Sequence, residues 1–305
     1  MPLSHAVFGP EAQITIENAL SRIGTDHMGK TALEGLSDSP KQIPSMFLYD
    51  GHGSQLFEEI TQQPEYYPPQ IEKRLLAEYA ETCCEHLPGM DIVELGSGDC
   101  SKISIILDAL EPWQMDTLRY VPVDISEYAV RQSAEELQDK FENLSIHGLV
   151  ADFMSQLDAI PSNRGRLFCF LGSTIGNLQL SDRMAFMDAL GNTMQNEDRL
   201  LLGVDMIKPV DVLEKAYNDA RHVTAEFNRN ALRVVNDVAK TNFEPEKFEH
   251  LAFYRDAQCR IEMHLRALEE MTVESPYKAS PLHIDEGECI HTENSHKFDI
   301  PQLKE

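Results

Sequence analysis

The sequence has little positive charge. Its 26 lysine and arginine residues stand against 51 aspartate and glutamate residues, which gives a formal net charge of −25 at pH 7. A surface of this charge repels the phosphate backbone of DNA and RNA, so we expect no nucleic-acid partner. The sequence also lacks any apolar run that approaches the roughly 18 residues typical of a membrane-spanning helix, so we expect no membrane partner. The simplest interpretation of the charge is that it keeps the protein soluble.

Cysteine is present, but not in a pattern that indicates covalent or metal cross-links. The six cysteines follow no disulfide-framework spacing and include no Cys-x-x-Cys pair. Reduced cysteines, and an N-terminus without the basic and apolar segments of a signal peptide, predict a cytoplasmic protein. His283, Cys289, His291 and His296 lie near one another in the sequence, but their spacing matches no common zinc site, so no metal is predicted.

Segments typical of strands and helices alternate through the middle of this chain of 305 residues. The alternation predicts an α/β fold with a doubly wound, mostly parallel sheet. The predicted strands are 91–95, 119–123, 145–150, 166–171 and 199–205, and the predicted helices between them are 101–110, 126–140 and 181–195. Outside this region the patterns predict helices over 12–23, 57–61, 69–86 and 209–239, a hairpin of strands 250–256 and 259–268, and a strand over 288–298.

These elements predict two lobes. The first is a Rossmann-like core with the parallel sheet, formed by residues 59–206 plus 297–305. The second is an α+β lobe formed by residues 8–58 plus 207–296. A lobe built from two chain segments can cover the carboxyl ends of the core strands, where open sheets bind ligands.

The run Asp91-Ile-Val-Glu-Leu-Gly-Ser-Gly98 is the most informative segment of the chain. An apolar strand breaks at Gly96 and Gly98 and leads into a helix, which brings backbone N–H groups and a helix N-terminus close to a ligand. The third glycine of the dinucleotide-binding Gly-x-Gly-x-x-Gly motif is missing, and a glycine pair after a strand also occurs in ordinary turns. The order of strand, glycine turn, helix and strand favours a nucleoside-containing cofactor.

Acidic residues end the next two predicted strands. Asp124 follows the second strand, where a carboxylate can hold the two hydroxyls of a ribose. Asp152 and Phe153 follow the third strand. There a carboxylate can accept the amino group of adenine, and the aromatic ring can stack on the base.

Glu94 and Lys102 distinguish between candidate cofactors. The carboxylate of Glu94, inside the first strand and near the turn, suits the amino group of a methionine moiety and would repel the pyrophosphate of a dinucleotide. Lys102, at the start of the following helix, suits the carboxylate of that moiety, although a lysine here is also typical of a solvated helix surface. We therefore predict S-adenosylmethionine as the cofactor, and an NAD-dependent dehydrogenase is the weaker alternative.

Several longer motifs follow one another along the chain. They are Tyr49-Asp-Gly-His-Gly-Ser-Gln-Leu-Phe57, Pro64-Glu-Tyr-Tyr-Pro68, Glu94-Leu-Gly-Ser-Gly98, Gly172-Ser-Thr-Ile-Gly-Asn177, Ala225-Glu-Phe-Asn-Arg-Asn230 and Arg260-Ile-Glu-Met263. Together they resemble the histidine-specific N-alpha-methyltransferases of ergothioneine biosynthesis. The resemblance implies a methyltransferase core with a substrate-binding lobe. It also implies an enzyme that uses S-adenosylmethionine to methylate the α-amino group of L-histidine three times, giving hercynine.

The resemblance also implies which residues contact the small-molecule substrate. Asn177 matches an asparagine that binds the backbone end of the amino acid, and Tyr217 matches a tyrosine that binds its carboxylate. Tyr66 matches a tyrosine near the imidazole, and Phe57 and Met263 match side chains that shape the pocket. Taken singly, such tyrosines and methionines are more typical of a packed core, so the matched surroundings carry these assignments.

Glu293 and Ser295 match the pair that recognises the imidazole. They are two residues apart, so on a strand they face the same side. A carboxylate and a hydroxyl can satisfy both ring nitrogens of a histidine, one as acceptor and one as donor. A substrate without ring nitrogens would leave a buried carboxylate unpaired, at a cost of about 2–5 kcal/mol. Tyr49, which we count among the cofactor contacts, and Phe57 offer aromatic faces to the methylated, cationic nitrogen.

The chemistry requires a neutral amine in line with the sulfonium methyl group. Because the unperturbed pKa of an α-amino group lies above 7, the amine first loses a proton. No residue is predicted as the general base, since water that reaches the amine would be sufficient. The sequence shows no dimerisation stripe, so a monomer is predicted.

Two alternatives remain open. A methyltransferase of the same family with another amino-acid substrate would keep Asn177 and Tyr217 but change Glu293 or Ser295. A non-catalytic protein that binds S-adenosylmethionine is the other alternative, because the resemblance implies that family members continue past Lys297-Phe298 through a helix and a final strand pair. Without these elements we expect an exposed sheet edge and lower stability.

Overall fold

A six-stranded sheet forms the centre of the computed structural model, which describes residues 14–20, 25–85, 87–98, 100–301 and 303. Its strands are β1 (Ile14–Asn18), β2 (Asp91–Leu95), β3 (Arg119–Asp124), β4 (Ser145–Val150), β5 (Arg166–Phe170) and β6 (Arg199–Leu202). They lie in the order β1-β4-β3-β2-β5-β6, and every neighbouring pair is parallel. The predicted α/β fold with a parallel sheet is confirmed.

Side chains of this sheet alternate between two faces, and each face packs against helices. Ile92 and Cys169 belong to a core that includes side chains from the helices on one face, while the intervening Val93 and Phe168 belong to a second core on the other face. The first face carries α3 (Pro68–Cys84), α4 (Ser101–Asp108) and α6 (Glu127–Lys140), and the second carries α7 (Leu180–Thr193); the short helix α5 (Pro112–Met115) leads into β3. Because both faces are covered, every residue of β2 and β5 is buried.

A second sheet is antiparallel and has three strands. It contains β7 (Phe248–Arg255), β8 (Arg260–Ala267) and β11 (Cys289–His296), with β8 in the middle. β9 (Met271–Val273) and β10 (Leu282–Ile284) form a separate two-stranded sheet. The third core joins β8 and β11 to α1 (Thr25–Gly35), α2 (Gly51–Thr61), α8 (Val210–Ala216) and α9 (Val223–Ala239). The predicted hairpin, the strand near residue 290 and the interrupted helix over 209–239 are confirmed.

The predicted helix over residues 12–23 is wrong where the structure describes it. Residues Ile14–Asn18 form strand β1, which pairs in parallel with β4, so that Ile14 stands opposite Ile146. The alternation Ile-Thr-Ile fits a strand as well as a helix, and the free edge of β4 decides between them. Residues 12, 13 and 21–23 lie outside the described residues. The sequence predicts residues 14–18 as part of the α+β lobe, whereas β1 belongs to the parallel sheet. The division into two lobes stays a prediction.

The predicted helical turn at 57–61 is the end of a longer helix, α2, which begins at Gly51. Asp50 caps this helix, since its Oδ1 accepts hydrogen bonds from the Gly53 N–H and from Asn230 Nδ2, both at 2.7 Å. Gly53 leaves room for a close approach of the chain, because a Cβ there would overlap the Leu48 carbonyl oxygen. The motif that begins at Tyr49 therefore fixes the start of α2 against α9.

Within the described part of the chain, none of the helices combines the length and apolarity needed to cross a bilayer. Nor do three or more histidine, cysteine, aspartate or glutamate side chains of that part come together as ligands for a metal ion. His291, one of the residues weighed as a zinc ligand, instead forms a 3.0 Å hydrogen bond with Asn294.

Candidate active site

A cavity of about 250 Å³ lies at the carboxyl ends of the parallel strands. Segments that follow β2, β3, β4 and β5 form one side of its wall, and α2 with the segments before and after it forms the other. The cavity lies at the point between β2 and β5 where the strand order reverses. Open parallel sheets typically bind their ligands at such a point. The wall contains these predicted site residues: Tyr49, Phe57, Tyr66, Gly96, Gly98, Lys102, Asp124, Asp152, Phe153 and Asn177.

The glycine turn after β2 brings backbone close to the cavity. Gly96 and Gly98 have φ angles of 76° and 53°, in the left-handed region that favours glycine. The turn is tied to the neighbouring strand, since the Gly96 N–H donates to the Val123 carbonyl oxygen at 2.8 Å. Between the two glycines, Ser97 Oγ is buried and has no hydrogen-bond partner among the described residues. A polar atom of this kind fits a site that receives a polar ligand.

Asp124 ends β3 beside this turn. Its carboxylate accepts hydrogen bonds from the backbone N–H groups of Ser126, at 2.8 Å, and Gly98, at 3.5 Å. Burial raises the pKa of Asp124 above its ordinary value, although these backbone N–H groups oppose the rise. The carboxylate is thus held in a fixed position at the cavity wall.

Asp152 and Phe153 follow β4 on the far side of Asp124. The Asp152 carboxylate accepts hydrogen bonds from the Met154 N–H and the Ser155 hydroxyl, at 2.9 and 2.8 Å. Phe153 packs edge-on against two phenylalanines, with ring centroids 5.5 Å from Phe170 and 5.8 Å from Phe186. Both side chains are therefore held in place from behind, and both line the cavity.

Lys102 lies in the wall of the cavity, whereas Glu94 does not. Lys102 lines the cavity and pairs with Glu72, Nζ to Oε2 at 3.3 Å. Glu72, which the sequence did not single out, also accepts the backbone N–H of Gly172. Glu94 is buried and does not contribute to the cavity wall; its carboxylate accepts a 2.6 Å hydrogen bond from Tyr120. Its contact with a methionine moiety stays a prediction.

Aromatic side chains cover the other end of the cavity. The Phe57 ring meets Tyr49 at 5.7 Å and Tyr66 at 6.3 Å between centroids, both edge-on, and Tyr66 meets Tyr217 at 5.8 Å. Burial raises the pKa of Tyr49 and Tyr66 well above the ordinary value of a tyrosine. These phenols are therefore neutral hydrogen-bond donors at physiological pH, on rings that present faces and edges to a ligand.

A β-bulge sets which side chains of β11 face this end. The register of β11 with β8 shifts between His291 and Glu293, so Thr292 is the extra residue. After the bulge, Glu293 stands opposite Met263, and Ser295 stands opposite Ile261. The prediction that Glu293 and Ser295 share a face is confirmed. Glu293, Ser295, Met263 and Tyr217 are all buried, and none of them is part of the cavity wall. Glu293 and Tyr217 nevertheless contact side chains of the wall.

Glu293 is tied to two residues of the wall. Its Oε1 accepts hydrogen bonds from the Tyr49 hydroxyl at 3.2 Å and from Asn177 Nδ2 at 3.1 Å. Burial raises the pKa of Glu293 to about 7, although the Tyr49 hydrogen bond and the charge of Lys297 oppose the rise. Asn177 follows β5, so this hydrogen bond connects the parallel sheet to β11.

Ser295 belongs to a second cluster that contains residues absent from the predicted site. Its Oγ accepts hydrogen bonds from the Tyr217 hydroxyl at 2.7 Å and from Lys297 Nζ at 2.9 Å. Lys297 also pairs with Asp205, Nζ to Oδ2 at 3.0 Å, and Tyr67 donates to the same oxygen. The spacing in the sequence could have indicated Lys297, because it follows Ser295 by two residues and such residues share a face of a strand. Nothing local indicated Asp205.

The geometry fits the predicted cofactor. One end of the cavity offers a glycine turn, a carboxylate at the tip of β3 and an aromatic ring, which suit a ribose and an adenine. The other end offers neutral phenols and an amide, with the Glu293 carboxylate hydrogen-bonded to two of these groups, and such groups suit a small polar substrate. The two ends belong to one cavity.

The sequence is similar along most of its length to proteins of known activity. Residues 28–305 match the family described as histidine-specific, SAM-dependent methyltransferases. A histidine N-alpha-methyltransferase of Mycobacterium tuberculosis is 40% identical over 268 residues, which cover 87% of this chain and 82% of that protein. The enzyme of that name from Mycolicibacterium smegmatis is 38% identical over 266 residues, with the same coverage of 87% and 82%.

A fungal protein extends the similarity beyond bacteria. Ergothioneine biosynthesis protein 1 of Neurospora crassa is 30% identical over 265 residues, which cover 80% of this chain and 30% of that protein. The family match spans most of the chain, and two relatives are 40% and 38% identical to it over 82% of their own length. This chain belongs to the family of histidine-specific, S-adenosylmethionine-dependent methyltransferases.

Proposed function

We propose that this protein transfers methyl groups from S-adenosylmethionine to the α-amino group of L-histidine. Three rounds give hercynine, the first step of ergothioneine biosynthesis. The observation that carries the proposal is the pair Glu293 and Ser295, which the bulge in β11 places on one buried face next to the aromatic end of the cavity. The bacterial relatives named for histidine methylation and the fungal relative named for ergothioneine biosynthesis support the same reaction.

For the cofactor, Asp124 would accept the ribose hydroxyls, Asp152 the adenine amino group, and Phe153 would stack on the base. Gly96 and Gly98 would let the chain approach the cofactor closely, while Lys102 would contact its carboxylate and Glu94 its amino group. Tyr49 would contact the cofactor near the reacting end. When bound, S-adenosylmethionine supplies a methyl group already activated on a sulfonium sulfur.

For the substrate, Glu293 and Ser295 would hold the two ring nitrogens. Asn177 and Tyr217 would hold the backbone end of the amino acid, which leaves the amine directed along the cavity toward the cofactor. Three further side chains would shape the pocket around the ring and the methylated nitrogen: Phe57, Tyr66 and Met263. These residues hold the nitrogen at near-attack distance, and no general base is assigned to any of them.

The decisive experiment is mass spectrometry of the purified protein incubated with S-adenosylmethionine and each amino acid in turn. A gain of three methyl groups on histidine alone is the expected result. Methylation of a different amino acid would keep the cofactor and the fold but contradict the roles of Glu293 and Ser295. Cofactor binding without any methylated product would favour the non-catalytic alternative.

Asp124→Asn is expected to weaken cofactor binding by about 10- to 100-fold, because a neutral amide accepts hydrogen bonds from ribose hydroxyls less strongly than a carboxylate. The measurement is isothermal titration calorimetry with S-adenosylhomocysteine, whose ribose is the same. The matched control is Asp139→Asn, at an exposed position of α6, which should bind as the wild type does. Equal affinities for both variants would remove Asp124 from the proposed cofactor site.

We also propose that the protein acts as a cytoplasmic monomer without a nucleic-acid or membrane partner. The net charge of −25 supports the lack of nucleic-acid binding, and the free thiols at all six cysteines support a reducing compartment. Sedimentation equilibrium at micromolar concentration tests the monomer, and a mass of two chains would overturn it.

A further inference from the structure

Lys297 is a buried ammonium group at the substrate end, and its contacts use all of its hydrogens. The residue is 2% exposed. Its Nζ lies 3.0 Å from the Tyr217 hydroxyl, 2.9 Å from Ser295 Oγ and 3.0 Å from Asp205 Oδ2. An ammonium group has three N–H donors and no acceptor, so three acceptors saturate it. Lys297 therefore has no donor left for a substrate, and any effect on recognition passes through its partners.

The positive charge of Lys297 is balanced by the carboxylate of Asp205. Asp205 is buried, and its carboxylate also accepts from Tyr67 and from Lys208 Nζ. Burial opposes the ionisation of Asp205, but Lys297, Lys208 and Tyr67 outweigh it and lower the pKa of this carboxyl. Lys297 is thus one half of a buried ion pair whose anion has a second cation, Lys208, at a more exposed position.

The contacts of Lys297 determine the direction of the hydrogen bonds around Ser295. The Tyr217 hydroxyl accepts from Lys297 and donates to Ser295 Oγ. Ser295 Oγ therefore accepts two hydrogen bonds, one from Tyr217 and one from Lys297, which fill both of its lone pairs. Neither bond uses the hydrogen of Ser295 itself. If Tyr217 instead turned its hydrogen toward a substrate carboxylate, Lys297 would still occupy one Ser295 lone pair, and Ser295 would still keep its hydrogen.

We propose that Lys297 is a positioning residue for substrate recognition, which makes Ser295 a hydrogen-bond donor to an unprotonated ring nitrogen. The inference rests on the proposed function and specifies the form of the substrate. With Glu293 as the acceptor for a ring N–H and Ser295 as the donor to a bare ring nitrogen, the site takes one neutral tautomer of the imidazole. A ring with an N–H at both positions would meet a donor at Ser295.

Ring analogues of histidine separate this role from a general structural one. The 4-thiazolyl and 5-thiazolyl analogues each keep one bare ring nitrogen, at different positions, and neither has a ring N–H. 2-Thienylalanine has no ring nitrogen. In the wild-type protein, the thiazolyl isomer whose nitrogen faces Ser295 should exceed 2-thienylalanine in kcat/KM by about 5- to 100-fold, the value of one satisfied buried hydrogen bond.

The variant Lys297→Met removes the donors while keeping an unbranched side chain, one heavy atom shorter than that of lysine. It should reduce the preference for the thiazolyl isomer to within about threefold, because Ser295 can then turn its hydrogen toward Tyr217. Lys208→Met is the matched control, since it also removes a cation from Asp205 but contacts neither Tyr217 nor Ser295. It should keep the wild-type preference.

Three outcomes would overturn the proposal. The first is a wild-type protein that methylates histidine but shows no preference for either thiazolyl isomer. The second is a Lys297→Met variant that slows all analogues equally and so keeps the preference. The third is a Lys208→Met variant that loses the preference as Lys297→Met does. If Lys297→Met does not fold, the double variant Lys297→Met/Asp205→Asn, which removes both charges of the buried pair, is measured in its place. Histidine turnover by the wild type is measured first, and its absence would contradict the proposed function instead.

Discussion

Replacing Glu293 with glutamine is expected to lower kcat/KM for L-histidine by about 30- to 1,000-fold. Tyr49 and Asn177 both donate to Oε1 of Glu293. In the variant, the amide oxygen takes this position, because it alone can accept both hydrogen bonds, and the amide nitrogen replaces Oε2. A donor then faces the ring N–H of histidine. The other neutral tautomer of the ring does not restore the match, because its N–H would point at Ser295, which is itself a donor.

The same variant is expected to be more stable than the wild type at pH 8. Burial raises the pKa of Glu293 from 4.5 to about 7, so the folded protein holds this proton more tightly than the unfolded chain does. The ionised carboxylate therefore destabilises the folded state increasingly as pH rises from about 4.5 to about 7, and the full cost is of the order of 3 kcal/mol above that range. Glutamine does not ionise, so the variant should gain about 1–3 kcal/mol at pH 8 and almost nothing near pH 4.5.

Two measurements check these opposite effects. Initial rates by mass spectrometry give kcat/KM, and urea unfolding at both pH values gives the free energy of unfolding. Glu286→Gln, the same change at an exposed position, should alter neither quantity. If Glu293→Gln methylates histidine as efficiently as the wild type, the carboxylate does not recognise the ring.

Asp198→Ala is expected to lower the free energy of unfolding by about 3–5 kcal/mol. Arg166, the first residue of β5, donates to Asp198 from Nε and Nη2 at 3.0 and 2.6 Å, and both side chains are 0% exposed. Without Asp198 the guanidinium group remains buried with neutral partners, such as the carbonyl oxygen of Thr193 at 2.7 Å and the ring of Phe168. A buried charge without its counterion accounts for the large cost.

A second Asp–Arg ion pair, also at the amino ends of the parallel strands, provides the control. Asp91, the first residue of β2, binds Arg119 of β3, but this arginine is 20% exposed. Asp91→Ala should cost only about 1–2 kcal/mol, because water can solvate the arginine that remains. Both pairs lie at the amino ends of the strands, away from the cavity, so both variants should keep the wild-type KM for S-adenosylmethionine. Equal losses of stability would show that burial of the arginine is not the cause.

The cofactor end was predictable from the sequence because its residues follow apolar strands directly. Gly96, Asp124 and Asp152 each come after a run that predicts a buried strand, and parallel pairing brings the carboxyl ends of those strands together. The order of elements was therefore enough to place them in one cavity. Their predicted contacts with the cofactor depend on the ligand and stay predictions.

The substrate end was predictable only in part. The two-residue spacing of Glu293 and Ser295 predicted a shared face, but the bulge at Thr292, which sets the register of these residues against β8, has no local signal. Lys297 is of a residue type that is almost always exposed. Its burial depends on Asp205 and Tyr217, which lie on separate segments of the chain. β1 was missed for a related reason, since the edge of β4 decides its conformation.

The hydrogen bond between Asn177 and Glu293 has a thermodynamic consequence. It links the segment that follows β5, whose Gly172 lies close to the predicted cofactor contact Lys102, to strand β11, which carries the predicted substrate contacts Glu293 and Ser295. The two segments touch closely, because a Cβ at Gly176 would stand 2.9 Å from the backbone oxygen of His296. We therefore expect a ligand that reorganises one segment to change the binding energy at the other. Reciprocity requires that the factor by which the cofactor alters the affinity for histidine equals the factor by which histidine alters the affinity for the cofactor.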